Sequence, residues 1–495
     1  MHALYSVSVI RQIEQAALQQ VPAGTLMQRA GLATANAALG LLSVAPHDAT
    51  ILVLAGPGNN GGDALEAAAR LAGAGASVLV RLCADPQGLP ADARQALMRA
   101  RRTSAVFIDE LPLRHWSLVI DGLFGVGLGR PIDGDVADLI RTINRLDLNV
   151  LAIDVPSGLD ADHGMLVGDA AIRAGTTLTF IGDKPGLHTL AGREYAGSVL
   201  VDTLGIDAAL YPAAALELSG PALFSSVVRP RSHDSHKGSY GDVMVIGGAD
   251  GMTGAAILAA RSALHAGAGK VHATFLGAVP AYDPLHPELM CCSASGVDFG
   301  KAVLVAGPGL GMSTAAAALL HKVLHSGRPL VLDADALNLM AADPAIQKQV
   351  ASHPAPVLLT PHPLEAARLL RCDTGHVQAN RTAAAAALAA RLQATVILKG
   401  SGSIIARPNG HMAINSSGNP ALASGGTGDV LAGLCGALLA QGWPIWEAAT
   451  GAAWLHGHAA DVLVRNGHGP AGLTASELTV QIRREINRLK PAGKD

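Results

Sequence analysis

Short runs of branched apolar residues, each ending in a glycine-rich turn and followed by a helix-like stretch, recur along this chain and dictate its fold class. Ile51-Leu52-Val53-Leu54, Ser77-Val78-Leu79-Val80, Leu118-Val119-Ile120 and Val150-Leu151-Ala152-Ile153 form one series. Apolar runs without polar alternation suit strands covered on both faces, and the helical stretches between them supply the crossovers of a parallel sheet. From about Ala208 to Pro230 the pattern gives way to Pro, Ala and Ser, including Tyr211-Pro212 and Gly220-Pro221. Few contacts need cross such a stretch, which predicts a linker. A second series starts at Val243-Met244-Val245-Ile246 and continues through Ala302-Val303-Leu304-Val305, Leu330-Val331-Leu332, Val357-Leu358-Leu359 and Val396-Ile397-Leu398. A chain of 495 residues exceeds one ordinary core. Two α/β domains are therefore expected, at residues 1–210 and 231–495, with a linker at 211–230.

With 49% hydrophobic residues but only 3% aromatic, the cores must rest on Ala, Val, Leu and Ile. The formal net charge is -3 and no long basic or acidic block occurs, which argues against nucleic acid or a membrane surface as partner and favours small molecules. Cys83, Cys291, Cys292, Cys372 and Cys435 include no C-x-x-C pair, so neither a disulfide framework nor a zinc site is expected. Met1 to Gln20 carries Arg11 and Glu14 in an amphipathic pattern rather than a signal peptide's apolar core, and Val430 to Ala440 is too short to span a bilayer. A cytoplasmic protein is expected.

Gly425-Gly426-Thr427-Gly428-Asp429 precedes an apolar helical run. Backbone N–H groups converging at a helix N-terminus make an anion site, although an ordinary helix cap would use the same residues. Asp429, in the first helical turn, is placed to accept a proton from an attacking hydroxyl beside a phosphate. Lys399-Gly400-Ser401-Gly402-Ser403 offers a second flexible turn, and the residues after it read as two short strands around Pro408-Asn409-Gly410. Thr360-Pro361-His362-Pro363 follows a strand end, where open α/β sheets place ligands. His362 there suits either substrate contact or a loop histidine bonded to backbone.

In the first half, Gly56-Pro57-Gly58-Asn59-Asn60-Gly61-Gly62-Asp63 leaves a strand and enters a helix, without the G-x-G-x-x-G order of a dinucleotide fingerprint and without a Walker lysine. Later strand ends supply Asp121, the turn Gly125-Val126-Gly127-Leu128-Gly129-Arg130-Pro131, and Asp154-Val155-Pro156-Ser157. The oxygens of Asn60, Asp121 and Ser157 suit a hard cation, although loop capping accounts for such spaced residues more readily. Lys184 reads as either a residue of this site or a surface lysine.

From about Ser235 to Arg488 the chain resembles the ribokinase-like ADP/ATP-dependent NAD(P)H-hydrate dehydratases. The resemblance rests on Ser235-His236-Lys237-Gly238-Ser239-Tyr240-Gly241, Gly251-Met252-Thr253-Gly254-Ala255-Ala256, Gly307-Pro308-Gly309-Leu310-Gly311, Leu332-Asp333-Ala334-Asp335-Ala336-Leu337-Asn338, Leu359-Thr360-Pro361-His362-Pro363 and Asn415 through Asp429. Residues from Met1 to about Ala209 resemble the NAD(P)H-hydrate epimerases, in the order found in bifunctional repair enzymes. The resemblance implies two three-layer αβα domains, Rossmann-like then ribokinase-like, that interconvert the R and S epimers of hydrated NADH and NADPH (NADHX and NADPHX) and dehydrate the S epimer. It implies that Asn59, Asn60, Gly61, Gly62, Asp63, Gly125, Val126, Gly127, Leu128, Gly129, Arg130, Pro131 and Asp154 bind the hydrated nucleotide in the first half, with Asp154 as acid/base and Asn60, Asp121 and Ser157 holding a potassium ion. In the second half it implies substrate contacts from Ala255, Gly309, His362 and Asp429, adenine-nucleotide contacts from Lys399, Gly400, Ser401, Gly402, Ser403 and Gly428, and Asp429 as base. ADP is the expected phosphoryl donor, with Mg2+, and a homo-oligomer is expected. Two departures stand out: Gln28 where the family commonly has Glu, and Ala64 where it commonly has Gly. The rival reading is a ribokinase-like small-molecule kinase with a non-catalytic N-terminal binding module.

Overall fold

A computed structural model describes residues 2–491; Met1 and residues 492–495, the ends of the expected domains, lie outside the described residues. Contacts divide the chain into two compact units, one from Ala3 to Ala214 and one made of His2 together with the residues from Ala215 onward.

The first unit is built on seven strands in the spatial order Val106–Phe107, Ser77–Leu82, Thr50–Ala55, Leu118–Gly122, Val150–Ile153, Thr176–Phe180 and Ser198–Asp202. Every neighbouring pair is parallel. Residue parity decides which layer each side chain joins. Ile51, Val53 and Ala55 pack with Ile10, Ile13, Met27, Leu65 and Leu71 on one face, and Leu52 and Leu54 pack with Trp116, Ile140 and Ile143 on the other. Each such Leu or Ile contributes about 1.5–3 kcal/mol by leaving water. The strand order reverses between Thr50–Ala55 and Leu118–Gly122, so the loops leaving their C-terminal ends part there and open a crevice.

The second unit repeats this logic in a larger sheet whose strands Met290–Ser293, Lys270–Phe275, Asp242–Gly247, Val303–Ala306, Leu330–Leu332, Val357–Leu359 and Thr395–Leu398 are parallel neighbours in that order. The hairpin Ile404–Ala406 and Met412–Asn415, at the expected place around Pro408-Asn409-Gly410, extends it with antiparallel pairing. On one face, Val243, Val245, Val305, Val331, Leu358 and Ile397 pack against an alanine-rich surface that includes Ala256, Ala259, Ala260, Ala432 and Ala437. Small side chains let these helices approach the sheet closely, which is how a chain with few aromatics closes its core.

The segment 211–230, expected as a linker, is packed structure. Tyr211 donates its hydroxyl to the Ile181 carbonyl at 2.7 Å within the first unit. Leu216–Ser219 adds a parallel strand beside Met412–Asn415 in the second. Phe224 is fully buried, with ring centroids 6.1 Å from Trp443 and 5.8 Å from Trp454. A composition rich in Pro, Ala and Ser concealed one apolar anchor. Among the described residues no helix is long and apolar enough to cross a membrane.

Candidate active sites

In the first unit a cavity of about 590 Å³ opens where the strand order reverses. Gly56 and Gly61 make its floor possible: a Cβ on Gly56 would overlap the Leu123 carbonyl, and one on Gly61 would overlap the Gly56 carbonyl. The helix Asn59–Gly73 can therefore begin directly against the strand end. Asn59, Asn60, Asp63, the run Gly125 to Arg130, and Asp154 line the cavity. Gly61, Gly62 and Pro131 lie outside that lining; Gly62 packs instead against Met27 and Ala93. Ala64, fully buried, sits inside the helix, where an ordinary negative φ is what the backbone requires. Gln28 is exposed and lies outside the cavity lining.

Asp121 is fully buried at a strand end. Ser157 donates its hydroxyl to Asp121 Oδ1 at 2.6 Å and its N–H to Oδ2 at 2.8 Å, and Leu123 N–H adds a bond of 3.2 Å. Burial pushes the carboxyl up to about 6 against the pull of those Ser157 bonds. Ser157 also touches the Phe124 carbonyl at 3.2 Å. Asn60 Nδ2 is buried and without a hydrogen-bond partner.

Asp154 adopts φ +65°, a left-handed conformation unusual outside glycine, and its N–H is fixed on the Leu178 carbonyl at 2.7 Å. Lys184, far from being a surface residue, is fully buried and donates to Asp154 Oδ1 at 2.7 Å. Two further carboxyl groups face the same space. Burial, with Asp154 adding, raises Asp63 well above the ordinary carboxylate range, and the same two causes raise Glu14. The sequence did not single out Glu14 as a site residue, and it read Lys184 as either a site residue or a surface lysine. Glu14 looks like any polar position on an amphipathic helix, and Lys184 reaches the site only because the chain after Thr176–Phe180 folds back beneath Asp154.

The second unit gathers its polar groups at the C-terminal strand ends. Lys399 Nζ donates to Asp333 Oδ1 at 2.8 Å, and Thr360 donates its hydroxyl to the same oxygen at 2.8 Å. The turn Gly425 to Asp429 meets them: Gly426, at φ +87°, caps the helix Thr427–Ala440, and a Cβ on Gly428 would lie 3.4 Å from Lys399 Nζ. The first N–H groups of that helix lack intrahelical acceptors and carry its positive end. Buried against the helix, His456 donates Nε2–H to the Thr427 carbonyl at 2.8 Å and anchors the turn.

Burial raises the Asp429 carboxyl to about 7, with Asp333 adding to the rise and Lys399 opposing it. Burial likewise lifts Glu365 to about 7. For Lys399 itself burial pulls down, but Asp333 and Glu365 outweigh it and hold the ammonium above its usual value. His362 caps the helix Pro363–Leu370 through Nδ1, which accepts from the N–H groups of Leu364 and Glu365 at 3.1 and 3.3 Å. That fixes the neutral tautomer with Nε2 as donor, 3.3 Å from Glu365 Oε1, and burial lowers the ring's basicity further. The reading of His362 as a loop histidine bonded to backbone is what the structure shows: it caps a helix, and its side chain is part-exposed.

Gly400 takes φ +144°, and Arg381 lies 2.6 Å from where a Cβ on it would be. Arg381 is almost wholly buried and donates to the carbonyls of Leu398, Lys399 and Gly402 at 3.3 Å each, so it braces the turn Lys399 to Ser403. Across the sheet's reversal point, Gly309 at φ +60° lies against Met252 and Ala255. Asp333, Asp335, Thr360, Glu365 and Arg381 were not assigned by the sequence; Asp333-Ala334-Asp335 directly after a strand was the available signal. Among the described residues no group of three His, Cys, Asp or Glu side chains suits a metal ion.

Residues 243–484 match the family described as NAD(P)H-hydrate dehydratase, and residues 23–186 match the YjeF-related protein N-terminus. The chain is 37% identical over 500 residues to the bifunctional NAD(P)H-hydrate repair enzyme of Coxiella burnetii, covering 98% of this chain and 100% of that one. To the enzyme of the same description from Escherichia coli it is 33% identical, covering 93% and 89%. Among solved structures, a ribokinase-like superfamily protein from Enterococcus faecalis aligns with a TM-score of 0.50 and 27% identity, covering 57% of this chain and 98% of that one. With both halves matched in order and over nearly full length, the chain belongs to the family of bifunctional NAD(P)H-hydrate repair enzymes, an epimerase domain followed by a ribokinase-like dehydratase domain.

Proposed function

We propose that residues 3–214 interconvert the R and S epimers of NADHX and NADPHX, and that the unit from Ala215 onward dehydrates the S epimer at the expense of ADP, releasing AMP and phosphate. The observation that carries the dehydratase reading is Asp429: a half-buried carboxyl at the positive end of a helix, raised to about 7 and facing the Lys399–Asp333 pair. A base poised near neutrality takes the C6 hydroxyl proton as the hydroxyl oxygen attacks the terminal phosphoryl group of ADP. The turn Gly425 to Gly428 holds the transferring group through backbone N–H donors. The ring nitrogen lone pair then expels phosphate, and loss of the C5 proton restores the dihydronicotinamide. Ala255, Gly309 and His362 are assigned to the hydrated nucleotide, and Lys399, Gly400, Ser401, Gly402, Ser403 and Gly428 to the adenine nucleotide. Mg2+ accompanying ADP supplies countercharge to its phosphates.

In the first unit Asp154 is the acid/base. Given a proton by Asp154, the C6 hydroxyl leaves as water while the ring nitrogen lone pair forms the iminium, and water then adds to the other face, returning a proton to Asp154. Asn59 to Asp63 and Gly125 to Pro131 are assigned to the nucleotide. The oxygens of Asn60, Asp121 and Ser157 fit potassium: Asp121 is buried with no cationic side chain paired to it among the described residues, and Asn60 carries an orphaned buried amide whose two ends are interchangeable in shape. Those three residues would hold the ion, which supplies positive charge at the cavity wall. A homo-oligomer in the cytoplasm completes the reading.

The deciding experiment incubates the protein with hydrated NADH and ADP, and in parallel with ATP. Recovery of dihydronicotinamide absorbance with AMP, or with ADP in the ATP arm, is expected. A stable phosphoester with no absorbance recovery would identify a small-molecule kinase instead.

A further inference from the structure

Lys184 has no exposure and is absent from the cavity wall, so nothing bound in the cavity touches it. Its ammonium nevertheless has four oxygen acceptors: Asp154 Oδ1 at 2.7 Å, Thr179 Oγ1 at 2.6 Å, and the carbonyls of Phe180 at 3.1 Å and Gly182 at 3.3 Å. Burying a lysine this completely is expensive unless the charge is paired and its donors satisfied, and an apolar side chain would do as well for stability alone. The arrangement makes sense through what it does to Asp154.

Among the described residues, the hydrogen bonds to the Asp154 carboxylate fall on one oxygen. Lys184, Phe180 N–H at 3.2 Å and the Thr179 hydroxyl at 3.4 Å meet Oδ1, whereas Oδ2 is turned toward Gly125, 3.4 Å from where a Cβ would stand on that cavity-lining residue. Glu14 and Asp63 line the same cavity and repel a third carboxylate. A cation behind Asp154 offsets that repulsion without occupying substrate space.

We infer that Lys184 is the positioning residue of the epimerisation base: it clamps Oδ1 of Asp154 from behind, so that Oδ2 alone is presented to the C6 oxygen of the substrate. The inference rests on the epimerase reading of this unit. Held at one oxygen and by its fixed backbone, the carboxylate cannot rotate away between departure of the hydroxyl from one face and return of water to the other. Loss of the clamp therefore costs turnover rather than binding, since the nucleotide is held by other residues.

The test uses the full-length protein and the purified R epimer of hydrated NADH, with spontaneous epimerisation subtracted. Lys184→Met, close in volume and neutral, is expected to lower kcat on the order of 100-fold, the scale of a misplaced catalytic group, with KM within about threefold of the parent. Lys184→Ala leaves a space of the lost side chain's size, and added methylammonium is expected to restore part of its kcat. Dehydration of the S epimer by the same molecules reports that the rest of the chain is folded. If Lys184→Met keeps the parent's kcat, the inference falls while the epimerase reading stands. If Lys184→Met loses kcat but methylammonium leaves Lys184→Ala unimproved, with a melting temperature lowered to match, the lysine is merely structural and the inference falls again. If the parent does not accelerate epimerisation above background, both fall together.

Discussion

Lys399 and Asp333 come from different strand ends of the second unit, 66 residues apart in sequence, yet their charged atoms meet at 2.8 Å beside the helix that carries Asp429. The pair is held in place by the Thr360 hydroxyl, and Lys399 is the cation that opposes the upward pull of burial on both Asp429 and Glu365.

Asp429→Asn should lower dehydration on the order of 10²–10⁴-fold, the usual contribution of a positioned base, while epimerisation by the same protein persists. In the parent, kcat/KM for dehydration should fall below a midpoint near pH 7, because the base works only when ionised and its carboxyl is raised to about 7. A pH profile flat from 5 to 8 would remove Asp429 from that role.

Lys399→Met should move that acid limb to higher pH by about one unit or more, because an opposite charge a few ångströms away lowers a carboxyl by that amount. It should also reduce stability by about 3–5 kcal/mol, since Asp333 stays buried without its partner. Rate profiles and thermal melts of the same preparation separate the two effects.

Potassium should raise the melting temperature of the first unit, and sodium or choline should do so less. At a concentration 100 times its dissociation constant an ion adds about 2.7 kcal/mol to the folded state. Asp121→Asn should abolish the difference between cations; persistence of the full potassium effect in that variant would place the ion elsewhere.

Phe224→Ala should cost the second unit about 3–5 kcal/mol, the loss expected for a large buried ring, because Phe224 is fully enclosed beside Trp443 and Trp454. Denaturant melts followed by tryptophan fluorescence would register it. An unchanged midpoint would restore the view of residues 211–230 as a passive tether.

Gly61→Ala should impair the first unit's cavity more than Gly58→Ala, since a Cβ at 61 overlaps the Gly56 carbonyl while one at 58 meets nothing within 4 Å. Epimerisation rates of the two variants compare them directly.

The period of the apolar residues was enough to predict two parallel α/β sheets, because strands covered on both faces must be apolar at every position, as Ile51 to Leu54 and Val243 to Ile246 are. Glycine-rich turns after strands marked the mouths of both sites for an equally local reason: Gly56, Gly61 and Gly426 occupy places where a Cβ would collide or the backbone turns left-handed. Local patterns carried no information on which charges would meet. Lys184 and Asp154 are 30 residues apart, Ser157 and Asp121 36, and Lys399 and Asp333 66. Each pairing arises only when parallel strands bring their C-terminal ends to one edge, and only burial at that edge turns an ordinary carboxylate into a base near neutrality. The sequence by itself determined the layers and the loops; the tertiary structure decided the partners, because charge pairing and desolvation depend on distance in space and not on distance along the chain.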